Sequence, residues 1–427
     1  MFRPAAAVGI SFVIGLASLA VDLSWVQYLL LFVILAVPLP LLEPKGRLFF
    51  LLVGVYVALG VLPFSNYRGT LATATISEYV LMSCAVLCSI GIADFMFDRG
   101  GRSNIEYSAL SWGTKHVYVF AFICTISWLF LVKVYGQHGI LLFNQFGRFD
   151  VGSYDAYLVK AASYLPLYFV ASRRFRYKLR DFLLYILMPL LPTLLIGSRG
   201  GVLMVLLGVC CVVYVRISVH GRPGDASRLR RVLVGLIPLG YAVVALGFFL
   251  RRGSDGVYMT PSELHAAYFN TPILVSYLVM PIHLGLRETV GLTNFILERG
   301  VVNDVVTYPL FVADFYTLQA GEQISAGRAL ASVVGSVADG GLTPGLLGAL
   351  RLDFGLSLSL IVVMLLSFSV AATARLAESR GLWTMLWALT LIQFVQLFHR
   401  GFAKPEYLMA YMVVLIAWLV PRLVLKV

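Results

Sequence analysis

Phe354-Gly-Leu-Ser-Leu-Ser-Leu-Ile-Val-Val-Met-Leu-Leu-Ser-Phe-Ser-Val-Ala-Ala-Thr-Ala374 carries no charge and is bracketed by Asp353 and Arg375. Wound as an α-helix it is about 30 Å long, the thickness of a bilayer's hydrocarbon core. A transmembrane barrel strand would be shorter and would alternate apolar with polar residues. Runs of the same kind recur on both sides of it, at 5–21, 25–42, 48–64, 78–97, 117–135, 156–172, 182–197, 200–216, 232–250, 383–398 and 407–424. Together they predict an all-α polytopic membrane protein with about 12 transmembrane helices. Composition agrees: 60% of the 427 residues are hydrophobic and 13% charged, with a mean hydropathy of +0.88. No water-soluble domain has such a composition.

The net charge of +12 does not point to nucleic acid, because the basic residues gather in short connections between apolar runs. Two connections fix the orientation: Arg173, Arg174, Arg176, Lys178 and Arg180 against Asp181, and Arg216, Arg222, Arg228, Arg230 and Arg231 against Asp225. Both are expected on the cytoplasmic side. Alternate crossing then puts Arg3 and Lys426, hence both termini, inside as well. The first apolar run resembles a signal peptide, but a second run begins at Trp25, so a retained helix is expected. The five cysteines lie within apolar runs and read as packing residues.

Three regions follow: transmembrane helices 1 to 9 over 1–250, an extracytoplasmic loop over 251–353, and helices 10 to 12 over 354–427. A connection that long is functional or folded. Within it, Ala266 to Leu286 is apolar but interrupted by Asn270, Pro272, Pro281 and His283, and reads better as an interfacial or re-entrant helix than as a span. A second amphipathic piece is expected over Val305 to Leu318.

The inferred outer loops carry Arg68, Arg148, Arg199, Arg251, Arg252, Arg287, Arg299, Arg328, Arg351 and Arg400, and 251–353 holds six Arg and no Lys. Arginine holds phosphate oxygens bidentately and stays charged when desolvated. The competing explanation is that these arginines pair with the nine acidic residues of the same loop, Asp314, Glu322, Asp339 and Asp353 among them. Arg199 differs: it lies in Gly197-Ser198-Arg199-Gly200-Gly201, a tight turn with no acidic neighbour in sequence. Ser198 and the Gly200 and Gly201 amides, at the start of a helix, add donors for a phosphate. Near Arg148, the amides of Asn144 and Gln145 and the rings of Tyr154 and Tyr157 suit sugar stacking or an interfacial aromatic belt equally. His399-Arg400, on the last outer turn, completes the site or caps a helix.

The Gly-Ser-Arg-Gly turn, the Arg251-Arg252 pair, the large outer loop and Gly341-Leu-Thr-Pro-Gly345-Leu-Leu-Gly348-Ala-Leu-Arg-Leu-Asp353-Phe354-Gly355 together resemble the Wzy-type oligosaccharide repeat-unit polymerases. The order of parts is also similar to that of the O-antigen ligases. The resemblance implies inverting, metal-independent glycosyl transfer from an undecaprenyl-diphosphate-linked oligosaccharide on the periplasmic face of a bacterial inner membrane. It implies no cofactor, and a Wzz-type chain-length regulator as partner. Arg199, Arg251 and Arg252 inherit the diphosphate-binding role. Two positions depart from the pattern: many polymerases have Glu where Ala349 stands, and the ligases have His near Pro344.

No Asp-x-Asp pair, HExxH, Walker lysine motif or Cys/His cluster appears in the chain. A diphosphate already leaves easily, so fixed guanidinium groups can stabilise it without metal. The attacking hydroxyl still benefits from a base, for which Asp339 is the first candidate, with Asp353, Glu322, Asp314 and His283 behind it. Arg328 lies upstream of Asp339 and is grouped with the catalytic candidates, and His283 with the sugar-binding ones. A flippase or transporter of lipid-linked sugars remains the non-enzymatic alternative, and charged residues within spans would favour it.

Overall fold

Prolines open several helices where the sequence changes from polar to apolar: Pro44, Pro261 and Pro405 stand at the first positions of their helices, where a missing N–H costs nothing. The computed structural model describes residues 2–97, 108–141, 151–172, 178–220, 241–242, 245, 248–249, 259–299, 309–318, 325–333, 342–377 and 380–423. Among them the helices are α1 (Phe2–Ala20), α2 (Ser24–Ala36), α3 (Pro44–Val61), α4 (Thr73–Met96), α5 (Thr114–His138), α6 (Ser153–Ala161), α7 (Leu165–Ala171), α8 (Leu179–Phe182), α9 (Met188–Leu195), α10 (Arg199–His220), α11 (Pro261–Tyr268), α12 (Ile273–Arg299), α13 (Ala326–Val333), α14 (Gly345–Leu376), α15 (Gly381–Arg400) and α16 (Pro405–Leu423). No strand occurs among the described residues, only isolated bridges.

Among the described residues, eight helices are long and apolar enough to cross a membrane: those at Arg3–Ala20, Ser24–Leu41, Thr73–Met96, Thr114–His138, Ile273–Glu298, Gly345–Leu376, Gly381–Arg400 and Pro405–Leu423. The chain is therefore an all-α protein with multi-pass membrane character. Helices also cover the expected spans at 48–64 and 200–216, while those at 156–172 and 182–197 are broken. Pro166 breaks the first: residues 162–164 tighten into a 3-10 turn, and the Ala162 amide turns to the Ser127 hydroxyl at 3.0 Å. The start expected at Phe354 coincides with a kink within α14, where Gly355 has φ 72° and ψ 177°.

α4 lies at the centre, packed against α1 and α14, with α14 in turn against α15. The connections gather at two ends. At one, the Gly381 amide donates to Ser108 at 2.8 Å, the Leu110 amide to Ala171 at 3.1 Å, and Arg216 to the Ser172 carbonyl at 2.9 Å. At the other lie the 62–72 turn, the 196–198 turn, the start of α14 and the 401–404 turn, the end where the expected alternation puts the outer arginines.

The apolar stretch expected over 266–286 is split. α11 stops at Tyr268, and α12 starts beyond Asn270 and Pro272 and continues through Pro281 to Arg299. From His283 onward its polar partners all come from one end of the bundle: Leu59 and Ser65, then Tyr67 and Gly69, then Ala72 and Thr75, with Thr293 donating to Pro344 at 2.6 Å. This half of α12 runs across that end. The amphipathic piece expected over 305–318 is a 3-10 helix at Leu310–Leu318.

Candidate functional site

The arginines expected to bind phosphate fall into distinct environments once their partners are known. Arg68 has φ 62° and pairs with Glu288 at 2.8 Å; Arg351 pairs with Glu78 at 3.1 Å. Arg287 is buried, and its guanidinium donates to the Tyr67 and Gly69 carbonyls at 3.2 and 2.8 Å, pinning the 62–72 turn. These three are used structurally. Arg400 is different: half-buried at the end of α15, it makes no hydrogen bond or ion pair among the described residues.

Around Arg400 the chain builds a polar cluster under the 401–404 turn. Tyr157, Lys160 and Tyr164 occupy one stripe of α6 and the turn after it, at spacings that bring side chains to the same face. Lys160 pairs with Glu406 at 3.1 Å, and the Tyr164 hydroxyl donates to the same carboxylate at 3.2 Å. Lys404 reaches Asp314 at 3.3 Å, while the other Asp314 oxygen accepts from the Ala326 amide at 3.2 Å. Burial and the nearby Arg400 push the Lys404 ammonium down to about 8, Asp314 and Glu406 partly opposing them. Among the described residues, three cations thus face two carboxylates. The Tyr407 hydroxyl, on a residue 8% exposed, has no hydrogen-bond partner among the described residues.

Two glycines set the turn. Gly401 has φ 83°, and a side chain there would run into the Gly345 carbonyl; Gly345 itself has φ 69°. The Gly-Leu-Thr-Pro-Gly stretch singled out in sequence therefore seats the end of α15 against the start of α14. Ala349 is fully buried beside Gly401. The 3-10 helix 310–318 closes the cluster from outside. The Ala403 amide donates to Phe311 at 2.7 Å, and Asp353 accepts from the Leu310 and Phe311 amides at 2.7 and 2.8 Å. The Tyr154 hydroxyl donates to Leu318 at 2.8 Å.

The sequence-derived site residues divide accordingly. Asp353 and Tyr154 converge on the 310–318 segment, Asp353 with both oxygens engaged and Tyr154 with an exposed ring. His283 is buried with Nδ1 2.7 Å from the Leu59 carbonyl and Nε2 2.8 Å from the Ser65 hydroxyl. A carbonyl only accepts, so Nδ1 carries the proton and Nε2 receives the Ser65 hydroxyl; neither nitrogen is left for a sugar. Ser198 precedes α10 in the 196–198 turn, where Gly197 has φ 84° and Gly200 faces open space. Arg328 is exposed on α13. Arg148, Arg251, Arg252, Glu322 and Asp339 lie outside the described residues, as does the Arg199 side chain. No group of three or more His, Cys, Asp or Glu that could hold a metal comes together among the described residues.

Sequence reasoning passed over Lys160, Lys404, Glu406 and Tyr407. The signal was present: Lys160 is a charge inside the apolar run 156–172, and an ionisable residue there is a functional candidate by default. Comparison with protein-family profiles, with curated proteins and with solved structures finds no match to the chain.

Proposed function

We propose that this chain is a membrane glycosyltransferase that polymerises undecaprenyl-diphosphate-linked oligosaccharide repeat units, as its resemblance to the Wzy-type polymerases implies. The observation that carries the reading is the excess of cation among the described residues at one end of the bundle, where Arg400, in no ion pair among them, lies near Lys160 and Lys404. Both substrates of such a reaction are diphosphates, and the site needs fixed positive charge more than any other group.

In the reaction, a sugar hydroxyl of the acceptor unit attacks the anomeric carbon of the donor glycan from the face opposite the diphosphate. The new C–O bond forms as the old one breaks, and the electron pair leaves with the lipid diphosphate. Arg199, Ser198 and the Gly200 and Gly201 amides, with Arg251 and Arg252, hold that leaving group. Asp339 takes the hydroxyl proton, and Arg148 and Tyr154 contact sugar. On this reading the site is periplasmic, the membrane is the bacterial inner membrane and both termini are cytoplasmic. A Wzz-type chain-length regulator is the expected partner.

One observation favours a non-enzymatic flippase instead: the Lys160–Glu406 pair stands inside apolar segments, as charges of a transport path do. Purified protein incubated with a synthetic lipid-linked repeat unit, with and without lipid A core, separates the readings. Ladders of polymer support the polymerase, and glycan on lipid A core supports an O-antigen ligase. Unchanged substrate in both incubations rejects the enzyme.

A further inference from the structure

We infer that the cluster of Lys160, Arg400, Lys404 and Tyr407 is a second diphosphate-binding site, distinct in the fold from the Gly-Ser-Arg-Gly turn, which takes the acceptor's lipid-linked diphosphate while the turn holds the donor's. The assignment to the acceptor rests on the polymerase reading; the existence of an anion site does not.

Four features carry it. Among the described residues the cluster holds one cation more than its carboxylates, and the surplus sits in no ion pair: Lys160 is matched to Glu406 and Lys404 to Asp314, leaving Arg400, which acts on Glu406 only from beyond ion-pair distance. Arg400 is the guanidinium, the group whose planar fork fits phosphate oxygens bidentately. The Tyr407 hydroxyl is buried with no partner among the described residues, and a buried donor left unmade is costly unless something fills it. Its phenol lies within electrostatic reach of Arg400, Asp314 and Tyr157. An anion accepting from Arg400 and the Tyr407 hydroxyl together answers both deficits, which neither a cation nor an apolar ligand does.

The structure also explains how the site stays in register. The Gly401 and Gly345 backbones touch, the Tyr407 amide donates to Lys404 at 2.9 Å, and Gln393 donates to the Tyr407 carbonyl at 2.9 Å. The turn bearing Arg400 and Lys404 is thereby clamped to the helix bearing Tyr407. A polymerase must hold two lipid diphosphates at once, and the 196–198 and 401–404 turns give it two seats.

The test is binding of inorganic pyrophosphate, of undecaprenyl diphosphate and of phosphatidylglycerol to the full chain in a neutral detergent, compared with Arg400→Gln and Tyr407→Phe. Tyr407→Phe is chosen because removing a hydroxyl that bonds nothing leaves the fold intact. We expect pyrophosphate and undecaprenyl diphosphate to bind, with affinity falling about tenfold in Arg400→Gln and by a few-fold in Tyr407→Phe, the worth of one charged and one neutral hydrogen bond. Phosphatidylglycerol binding as well as undecaprenyl diphosphate does, or affinities unchanged in either variant, overturns the site. If both variants lose pyrophosphate while the wild-type protein makes no polymer, the site stands and the polymerase reading falls.

Discussion

The Lys160 ammonium sits 3.1 Å from the Glu406 carboxylate, joining the middle of the chain to its last helix, and the Tyr164 hydroxyl donates to the same carboxylate. Glu406 is 5% exposed, so the pair is held out of water. Removing Lys160 takes from the buried Glu406 carboxylate its ion pair and leaves only the more distant Arg400 and Lys404, at a cost of about 3 kcal/mol. Lys160→Ala is therefore expected to lower the thermal unfolding midpoint of the detergent-solubilised protein sharply. Lys160→Met combined with Glu406→Leu should recover most of the loss. Equal destabilisation by the single and double variants would show that the pair is not what holds these helices.

Lys404 gives a pH dependence with two opposite signs. Its ammonium titrates near 8 in the folded protein against an ordinary 10.5, because burial and Arg400 disfavour the charge. Between those values the unfolded chain binds the proton and the folded chain does not, so stability rises with pH across that window. Pyrophosphate affinity runs the other way, falling about tenfold as Lys404 loses its charge above pH 8. Lys404→Arg stays charged throughout and should flatten the loss. Comparing the two proteins cancels the anion's own titration; parallel pH profiles would exclude Lys404 from binding.

Why the fold was legible and this cluster was not is a matter of what each kind of signal reports. Apolar runs such as 78–97 and 117–135 appear as α4 and α5 because only a helix satisfies its own backbone in lipid. The Gly355 kink falls where the apolar run was expected to begin. Pairing between distant segments leaves no local trace: nothing near Arg351 in sequence announces Glu78, and nothing near Lys160 announces Glu406. His283 attracted attention as a lone histidine in a loop, yet a buried imidazole bridging Leu59 and Ser65 looks the same in sequence.

The orientation rests on the two arginine-rich connections and can be tested directly. Cysteines introduced at Ser227 and at Ser325, in a background lacking Cys84, Cys88, Cys124, Cys210 and Cys211, should react with a membrane-impermeant reagent from opposite sides. Labelling of both from one side would place the proposed site in the wrong compartment.

At the Gly-Ser-Arg-Gly turn, Arg199→Lys is expected to be nearly as damaging as Arg199→Ala. A single ammonium does not reproduce a bidentate contact, and losing one such contact to developing charge costs about 3 kcal/mol, on the order of a hundredfold in rate. Polymer yield at matched protein level is the measurement. Normal polymer from the Lys variant would remove Arg199 from the diphosphate.

The last prediction separates a base from a structural carboxylate. Asp353 accepts from two successive backbone amides, Leu310 at 2.7 Å and Phe311 at 2.8 Å, so it fastens the 310–318 segment to α14 rather than capping its own helix. Asn at 353 keeps one acceptor oxygen and turns an N–H group towards the other amide. That substitution should cost about 1 to 3 kcal/mol of stability, the worth of a charged hydrogen bond, while chemistry continues in the protein that remains folded. Asp339 lies in Val337-Ala338-Asp339-Gly340-Gly341, where the two following glycines would permit a tight turn. An amide cannot take a proton, so Asp339→Asn should leave folding and lipid-donor binding intact while polymer formation falls about a hundredfold or more. Unfolding midpoints, donor affinity and polymer yield measured on both variants give a crossed pattern: stability lost at 353, rate lost at 339. Normal polymerisation by both would place the base elsewhere, and Glu322 would be the next residue to change.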